Sequence, residues 1–234
     1  MHATPPAIVT PAPAVSPAPV AGPSIATPRP WSTKAWLAKH DAFVARANQG
    51  DVDVLFLGDS IVEFFATRGA AVWEREIAPL GNVVDFGIQG DRTQFVLWRA
   101  RNGELDGSNA RVVVVMVGTN NLATATPDNV ARGVAAIVDT VRERLPNAIV
   151  VLNAILPRGT PSDPVRTKLA DVNSRLAAFA DGTHVRWLDA GGAFVDADGA
   201  IPAALMPDKL HPSTAGYEVW ATALRPVLLD ALSK

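Results

Sequence analysis

The chain has 234 residues, 48% hydrophobic and 19% charged, which is long enough for one sizeable globular core. Its 21 Lys and Arg residues nearly balance its 23 Asp and Glu residues, and no dense basic block offers a footprint for nucleic acid or an anionic membrane. The lack of cysteine excludes disulfides, thiol nucleophiles and thiolate metal sites, and no apolar run approaches the roughly 18 residues of a membrane-spanning helix.

The N-terminal segment, residues 1–30, differs in composition from the rest. It holds nine of the 19 prolines and a single Lys, Arg, Asp or Glu residue, Arg29. This composition predicts an extended, polyproline-like or disordered arm ahead of one domain spanning residues 31–234. The arm is not a signal peptide as it stands. Two interpretations stay open, a spacer left after removal of an export signal or the disordered tail of a cytoplasmic protein.

From Trp31 onward, short apolar runs alternate with longer helical patterns. The runs rich in Val, Ile and Leu predict strands at residues 52–57, 83–86, 112–117, 149–155 and 185–188. Between and around them, helical periodicity predicts helices near 31–48, 60–68, 91–101, 128–145, 164–180 and 213–232. Continuous apolar strands alternating with helices are typical of a parallel sheet covered on both faces, so we expect an α/β fold in three layers.

Small polar groups beside glycine follow three of these strands. In such sheets, sites form at the carboxyl ends of the strands, where the strand order reverses. The strand-end sequences are Gly58-Asp59-Ser60, Gly87-Ile88-Gln89-Gly90-Asp91 and Gly118-Thr119-Asn120-Asn121, and a late loop carries Asp208-Lys209-Leu210-His211.

Acyl transfer by an activated serine is the chemistry that fits these four places. A serine hydroxyl is a weak nucleophile, so Ser60 needs a base, for which His211 is the candidate, and the base needs an orienting carboxylate, for which Asp208 is the candidate. The oxyanion of the tetrahedral intermediate needs preorganised donors, and the backbone N–H groups of Ser60 and Gly90 and the side-chain amide of Asn120 would supply three. At Gly90 the backbone can come close to the oxyanion because glycine has no Cβ.

Each candidate residue also has a structural interpretation. Ser60 could cap the following helix, the pair Asp208 and His211 could lie on the surface before the last helix, and Asn120 could satisfy turn backbone. Two other functions use the same residues. One is a catalytically silent binding module, and the other is a metal-dependent phosphohydrolase built from Asp59, Asp91, Asp208 and His211.

The four blocks together resemble those of the GDSL, or SGNH, hydrolases. Within that superfamily the chain looks most like the catalytic α subunits of the intracellular platelet-activating factor acetylhydrolases and their bacterial esterase relatives. The resemblance covers about residues 52–231 and extends through Val96-Leu97-Trp98-Arg99, Asn102-Gly103-Glu104-Leu105 and Leu156-Pro157-Arg158-Gly159. Two departures are Ile61, where the family name has Leu, and Gln89 with Arg92, which flank a Gly-Asp pair at a place where the acetylhydrolase subunits have Gly before the pair and Ser or Thr after it.

The resemblance implies a flavodoxin-like α/β/α sandwich with a five-stranded parallel sheet and a homodimer. It implies no metal and no cofactor, Ser60, Asp208 and His211 as the catalytic residues, and Gly90 and Asn120 as oxyanion donors. It also implies an acyl pocket narrowed by Ile61, Thr119 and Leu210, which favours short acyl groups. We therefore expect a serine esterase that hydrolyses short-chain carboxylic esters, acetyl esters above all, through an acyl-enzyme. The main alternative is a carbohydrate acetylesterase, acting for example on xylan.

Overall fold

The computed structural model describes residues 25–30 and 33–234. Most of the predicted arm, residues 1–24, therefore lies outside the described residues. In chain order the principal elements are α1 (Thr33–Ala47), β1 (Val54–Gly58), α2 (Ser60–Glu63), α3 (Ala70–Val72), β2 (Val83–Gly87), α4 (Thr93–Arg99), β3 (Val112–Met116), α5 (Pro127–Arg144), β4 (Ile149–Asn153), α6 (Pro164–Ala177), β5 (Val185–Leu188) and α7 (Thr214–Leu232).

The five strands form one parallel sheet in the order β2-β1-β3-β4-β5. Val54 of β1 is in register with Val83 of β2 on one side and Val112 of β3 on the other. The chain first adds β2 beside β1 and then crosses to the other side to add β3, so the strand order reverses at β1. A crevice at the carboxyl ends of β1 and β3 follows from that reversal. The predicted parallel sheet is confirmed.

Helices cover both faces of the sheet, as the continuous apolar strands predict. Because side chains alternate along a strand, Leu55 and Leu57 of β1 point into the core beneath α4, α5 and α6. Val54 and Phe56 point into a second core, which α7 and the segment between β1 and β2 close. The two cores give the three-layer α/β/α architecture.

Two helices differ from the sequence prediction. The helix expected over 60–68 ends at Glu63, and short helical turns that the sequence pattern did not indicate follow over Ala70–Leu80. The helix expected over 91–101 begins at Thr93, and after Arg99 it passes into a wider turn, Ala100–Glu104, in which Gly103 has a φ of +109°. Within the described residues, no helix is both long enough and apolar enough to cross a membrane.

Candidate active site

Ser60 lies just beyond the carboxyl end of β1, the strand between β2 and β3, and is only 3% exposed. The preceding residue, Asp59, caps helix α2, since its Oδ1 accepts a hydrogen bond from the Ile61 N–H at 3.0 Å. The capping role that we considered for Ser60 therefore belongs to Asp59. The Ser60 hydroxyl is directed instead to His211, with 3.0 Å between Oγ and Nε2.

Asp208 holds His211 through both its backbone and its ring. Oδ1 of Asp208 accepts from the backbone N–H groups of Leu210 and His211, at 3.0 and 2.7 Å, and Oδ2 lies 2.6 Å from His211 Nδ1. Partial burial by itself would raise the pKa of Asp208, but the hydrogen bonds from His211 outweigh it and lower that pKa. The carboxylate thus stays ionised and favours the tautomer in which Nδ1 carries the proton and Nε2 is free to accept.

The loop after β2 is a tight turn held against Asn120. The Asp91 N–H donates to the Ile88 carbonyl at 3.1 Å, and Gly90, with a φ of +77°, takes a backbone conformation that L side chains rarely adopt. The Asn120 side-chain amide donates to the Asp91 carbonyl at 2.8 Å. This hydrogen bond therefore holds the Asn120 side chain next to the loop that carries Gly90. Asn120 and Gly90 are two of the three predicted oxyanion donors.

The neighbouring asparagine, Asn121, has a different role. Its Oδ1 accepts from the Thr93 N–H at the start of α4, and its Nδ2 lies 3.0 Å from Gln94 Oε1. Both ends of this buried amide are thus occupied within the protein. Asn120, which is partly exposed, is the one whose amide remains beside the Gly90 loop.

A buried network of charged side chains lies next to the site. No role for this network was predicted from the sequence. The Arg99 side chain, fully buried, donates to Asp91 Oδ2 at 2.8 Å and to the Gly58 carbonyl at 3.1 Å, and it also pairs with Glu104. Arg99 thus joins the end of β1, two residues before Ser60, to the loop that carries Gly90. The Asp91 carboxylate accepts from two side chains, the guanidinium of Arg99 and the indole N–H of Trp36.

The three residues of the predicted acyl pocket differ in exposure. Ile61, 1% exposed, packs into the core on the α7 face, and Thr119 is also buried. The Thr119 carbonyl and hydroxyl oxygens both accept from Arg158 Nη1, at 3.0 and 3.1 Å. Leu210, directly before His211, is partly exposed, so it is the one of the three that offers accessible surface.

The residues of the phosphohydrolase alternative do not assemble as a metal site. Within the described part of the chain, no three His, Asp or Glu side chains group so that they could hold a metal ion. Asp91 is engaged by Arg99, and Asp208 is engaged by His211. What the arrangement offers is a serine, an imidazole and a carboxylate in line.

Sequence comparisons show which family this chain resembles. The model of the GDSL-like lipase/acylhydrolase family matches residues 56–219. The chain is 41% identical over 200 residues to the human platelet-activating factor acetylhydrolase IB subunit alpha1, covering 85% of each chain. It is 38% identical to the human alpha2 subunit, covering 85% of this chain and 86% of the relative.

Solved structures share the fold. A putative acylhydrolase from Bacteroides fragilis superposes with a TM-score of 0.71 at 21% identity, covering 87% of this chain and 99% of that one. An acetylxylan esterase from Geobacillus stearothermophilus superposes with a TM-score of 0.61 at 19% identity, covering 79% of this chain and 96% of that one.

Proposed function

The chain belongs to the GDSL-like lipase/acylhydrolase family, and we propose that it hydrolyses short-chain carboxylic esters, acetyl esters above all, through a serine acyl-enzyme. The observation that carries this proposal is the alignment of Ser60 Oγ, the His211 ring and the Asp208 carboxylate, at 3.0 and 2.6 Å. These three residues come from the two ends of the domain, and an alignment of this kind is what activation of a serine requires.

In the first half of the reaction, Ser60 Oγ attacks the ester carbonyl carbon while His211 Nε2 takes the hydroxyl proton. The tetrahedral intermediate collapses as the C–O bond to the alcohol breaks and His211 returns the proton to the departing alkoxide. In the second half, water attacks the acyl-serine and His211 again accepts and returns one proton. The carboxylic acid leaves, and Ser60 is regenerated. Asp208 remains ionised throughout and stabilises the imidazolium.

The developing oxyanion is assigned to the backbone N–H groups of Ser60 and Gly90 and to the Asn120 amide. The hydrogen bond from Asn120 to the Asp91 carbonyl fixes that amide beside the Gly90 loop and leaves its second N–H for a ligand. Donors fixed before the reaction need no reorganisation when charge develops, which is why they accelerate the chemical step.

Preference for a small acyl group is supported by the buried residues beside Ser60. Ile61 and Thr119 are both nearly inaccessible to solvent. Arg158 also donates to two oxygens of Thr119, so the site has little room to expand on this side. An acetyl group needs the least space. Leu210 supplies the remaining, more accessible wall.

The decisive experiment is turnover of p-nitrophenyl acetate by the wild type and by S60A, with S162A as a matched serine control on the surface. We expect wild type and S162A to turn over equally and S60A to fall to background. We also expect an organophosphate to inactivate the enzyme in the presence of EDTA and to add its mass to the peptide containing Ser60. Unchanged turnover in S60A would refute the proposal.

The alcohol half of the substrate is tested with a panel. The relatives named above include a platelet-activating factor acetylhydrolase subunit by sequence, and the solved structures include an acetylxylan esterase by fold. Acetylated xylo-oligosaccharides, a short 2-acetyl phospholipid and simple aryl acetates should therefore be compared by kcat/KM. A hundredfold preference for the sugar esters would favour the carbohydrate acetylesterase alternative.

A further inference from the structure

Residues 25–30, at the end of the N-terminal arm, lie against the loop that carries Gly90. The Thr27 N–H donates to the Gln94 carbonyl at 3.1 Å, which places this segment beside the start of α4. Two residues later, Arg29 Nη1 donates to the Gln89 carbonyl at 2.7 Å. The segment precedes residues 56–219, which match the family model.

The Gln89 carbonyl belongs to the same peptide group as the Gly90 N–H. In a planar trans peptide the C=O and the N–H point in opposite directions, so whatever fixes the carbonyl also fixes the N–H. Arg29 draws the Gln89 carbonyl to one side and thereby directs the Gly90 N–H to the other. A hydrogen bond from a charged guanidinium is about twice as strong as a neutral one and also polarises the amide, which makes its N–H a better donor.

Without the hydrogen bond from Arg29, the peptide between Gln89 and Gly90 could rotate within the turn. In a four-residue turn with glycine at the third position, rotating the central peptide exchanges the directions of its C=O and N–H, and glycine tolerates either result. The Gln89 N–H is held by the Glu63 carboxylate and the Asp91 N–H by the Ile88 carbonyl. Arg29 acts on the peptide between these two, the one that presents the proposed oxyanion donor.

We propose that Arg29 is a positioning residue for the oxyanion hole: it locks the Gln89–Gly90 peptide so that the Gly90 N–H faces the reacting carbonyl. The inference rests on the proposed function, because it concerns how the Gly90 donor is prepared. It gives the last residues of the proline-rich arm a part in preparing the site.

A different role for Arg29 would be that of counter-ion to Asp91. The distances favour the Gln89 carbonyl as the main partner of Arg29, since Nη1 lies 2.7 Å from Gln89 O but 3.8 Å from Asp91 Oδ1. Asp91 is, moreover, already paired with Arg99 at 2.8 Å. A Cβ placed on Gly90 would come within 3.0 Å of Arg29 Nη2, which shows how closely the guanidinium covers this peptide.

The kinetic test compares full-length R29M with T27V, a matched change in the same segment that leaves the backbone bond of Thr27 in place. We expect R29M to lower kcat by about 10- to 100-fold with little change in KM, less than the loss of a donor itself, which costs about 10²- to 10³-fold. An aryl trifluoromethyl ketone, whose adduct with Ser60 carries an oxyanion, should bind R29M more weakly in the same proportion. T27V should match the wild type in all three values.

A second readout needs no turnover. The ¹⁵N resonance of an amide responds to hydrogen bonding at the preceding carbonyl, so the Gly90 signal should shift in R29M and stay in place in T27V. An unchanged Gly90 signal, an unchanged kcat, or a rise in KM alone would overturn the assignment of Arg29. Failure of the wild type to hydrolyse any ester would instead refute the proposed function, and the Gly90 signal would still decide whether Arg29 holds the peptide.

Discussion

Asp208 binds His211 with both carboxylate oxygens, one on the backbone N–H at 2.7 Å and one 2.6 Å from Nδ1. This double attachment fixes where the ring lies and which nitrogen carries its proton. In D208N, the amide oxygen can still accept from the backbone, but the NH₂ group then faces Nδ1. The ring is driven to carry its proton on Nε2, where it cannot accept the proton of Ser60.

We therefore expect D208N to remain folded and to lose about 10³- to 10⁴-fold in kcat for p-nitrophenyl acetate. D196N is the matched control, because Asp196 also caps backbone N–H groups of a loop, those of Asp198 and Ala200, but has no histidine partner in the described part of the chain. Its kcat should equal that of the wild type. Wild-type turnover by D208N would show that the carboxylate does not set the tautomer of His211.

The adjacent asparagines should separate catalysis from stability. N120A removes a proposed oxyanion donor and should lower kcat by about 10²- to 10³-fold while changing KM little. N121A removes a buried amide that accepts from the Thr93 N–H and bonds to Gln94 Oε1, and the loss of these two bonds should cost about 1–3 kcal/mol of unfolding free energy.

Thermal melts and steady-state kinetics on the same two preparations test this pair. The expected pattern is a normal Tm with a low kcat for N120A, and a low Tm with a near-normal kcat below the melting range for N121A. The reverse pattern would assign the donor role to Asn121.

Leu210 should limit the length of the acyl chain. Because Ile61 and Thr119 are buried while Leu210 is partly exposed, L210A is the substitution that can enlarge the pocket without opening a cavity in the core. We expect the ratio of kcat/KM for the butyrate over the acetate ester of p-nitrophenol to rise about tenfold, since burial of each methylene is worth about 0.8 kcal/mol. L229A, at an exposed position of α7, serves as the control. An unchanged ratio in L210A would remove Leu210 from the acyl pocket.

Much of this site could be predicted from local sequence. Five short apolar runs identified the strands, and because parallel strands end at one edge, the polar residues after β1, β2 and β3 had to lie close together. The pairing of Asp208 with His211 was predictable from their spacing of three residues. Which of Asn120 and Asn121 faces the site depended on the family register, and the structure shows Asn121 occupied by Thr93 and Gln94.

The contacts that the sequence did not predict join segments distant along the chain. Arg99 reaches the Gly58 carbonyl across 41 residues, and Arg29 reaches Gln89 across 60. No periodicity or local motif predicts such contacts, since they depend on how α4 and the arm pack beside the sheet. The end of α2 at Glu63 is similar: the residues after it pack against Tyr217 of α7, as the approach of Gly69 to its ring shows.

Asp59, beside the nucleophile, should make stability depend on pH. Burial raises the pKa of Asp59 to about 7, although the hydrogen bond from the Ile61 N–H and the positive charge of Arg158 act in the opposite direction. Between pH 4 and pH 7 the folded protein retains a proton on Asp59 that the unfolded chain has lost. Asp59 therefore lowers the free energy of unfolding increasingly as pH rises through this range, and by a constant amount above pH 7. D59N keeps an oxygen for the cap and removes that cost.

The stabilisation of D59N relative to wild type should accordingly be larger at pH 8 than at pH 5 in chemical denaturation. D181N is a control for which the opposite change in stability is expected. Hydrogen bonds from three backbone N–H groups lower the pKa of Asp181 to about 2, so its carboxylate stabilises the fold above pH 4 and loses that effect as pH falls towards 2. D181N should be destabilised at both pH 5 and pH 8. An equal effect of D59N at both pH values would mean that Asp59 titrates normally.

Removal of the Arg99 cation should be the most destabilising change near the site. R99M would leave the fully buried carboxylates of Asp91 and Glu104 without the guanidinium that joins them, and it would free the Gly58 carbonyl. Loss of one partner from a buried ion pair costs about 3–5 kcal/mol. In a domain of this size that lowers Tm by roughly 6–20 °C.

R101M is the matched control for R99M, because Arg101 is exposed and donates a 3.3 Å bond to Thr140 Oγ1 without joining the buried network of charged side chains around Arg99. It should melt within about 2 °C of the wild type, since surface substitutions usually change stability by less than about 0.5 kcal/mol. Because Arg99 spans the strand end before Ser60 and the loop with Gly90, R99M should also lose kcat at temperatures where it is still folded. If R99M melted at the same temperature as R101M, neighbouring groups would have to neutralise Asp91 and Glu104 without Arg99. The network would then not be what holds the end of β1 and the Gly90 loop together.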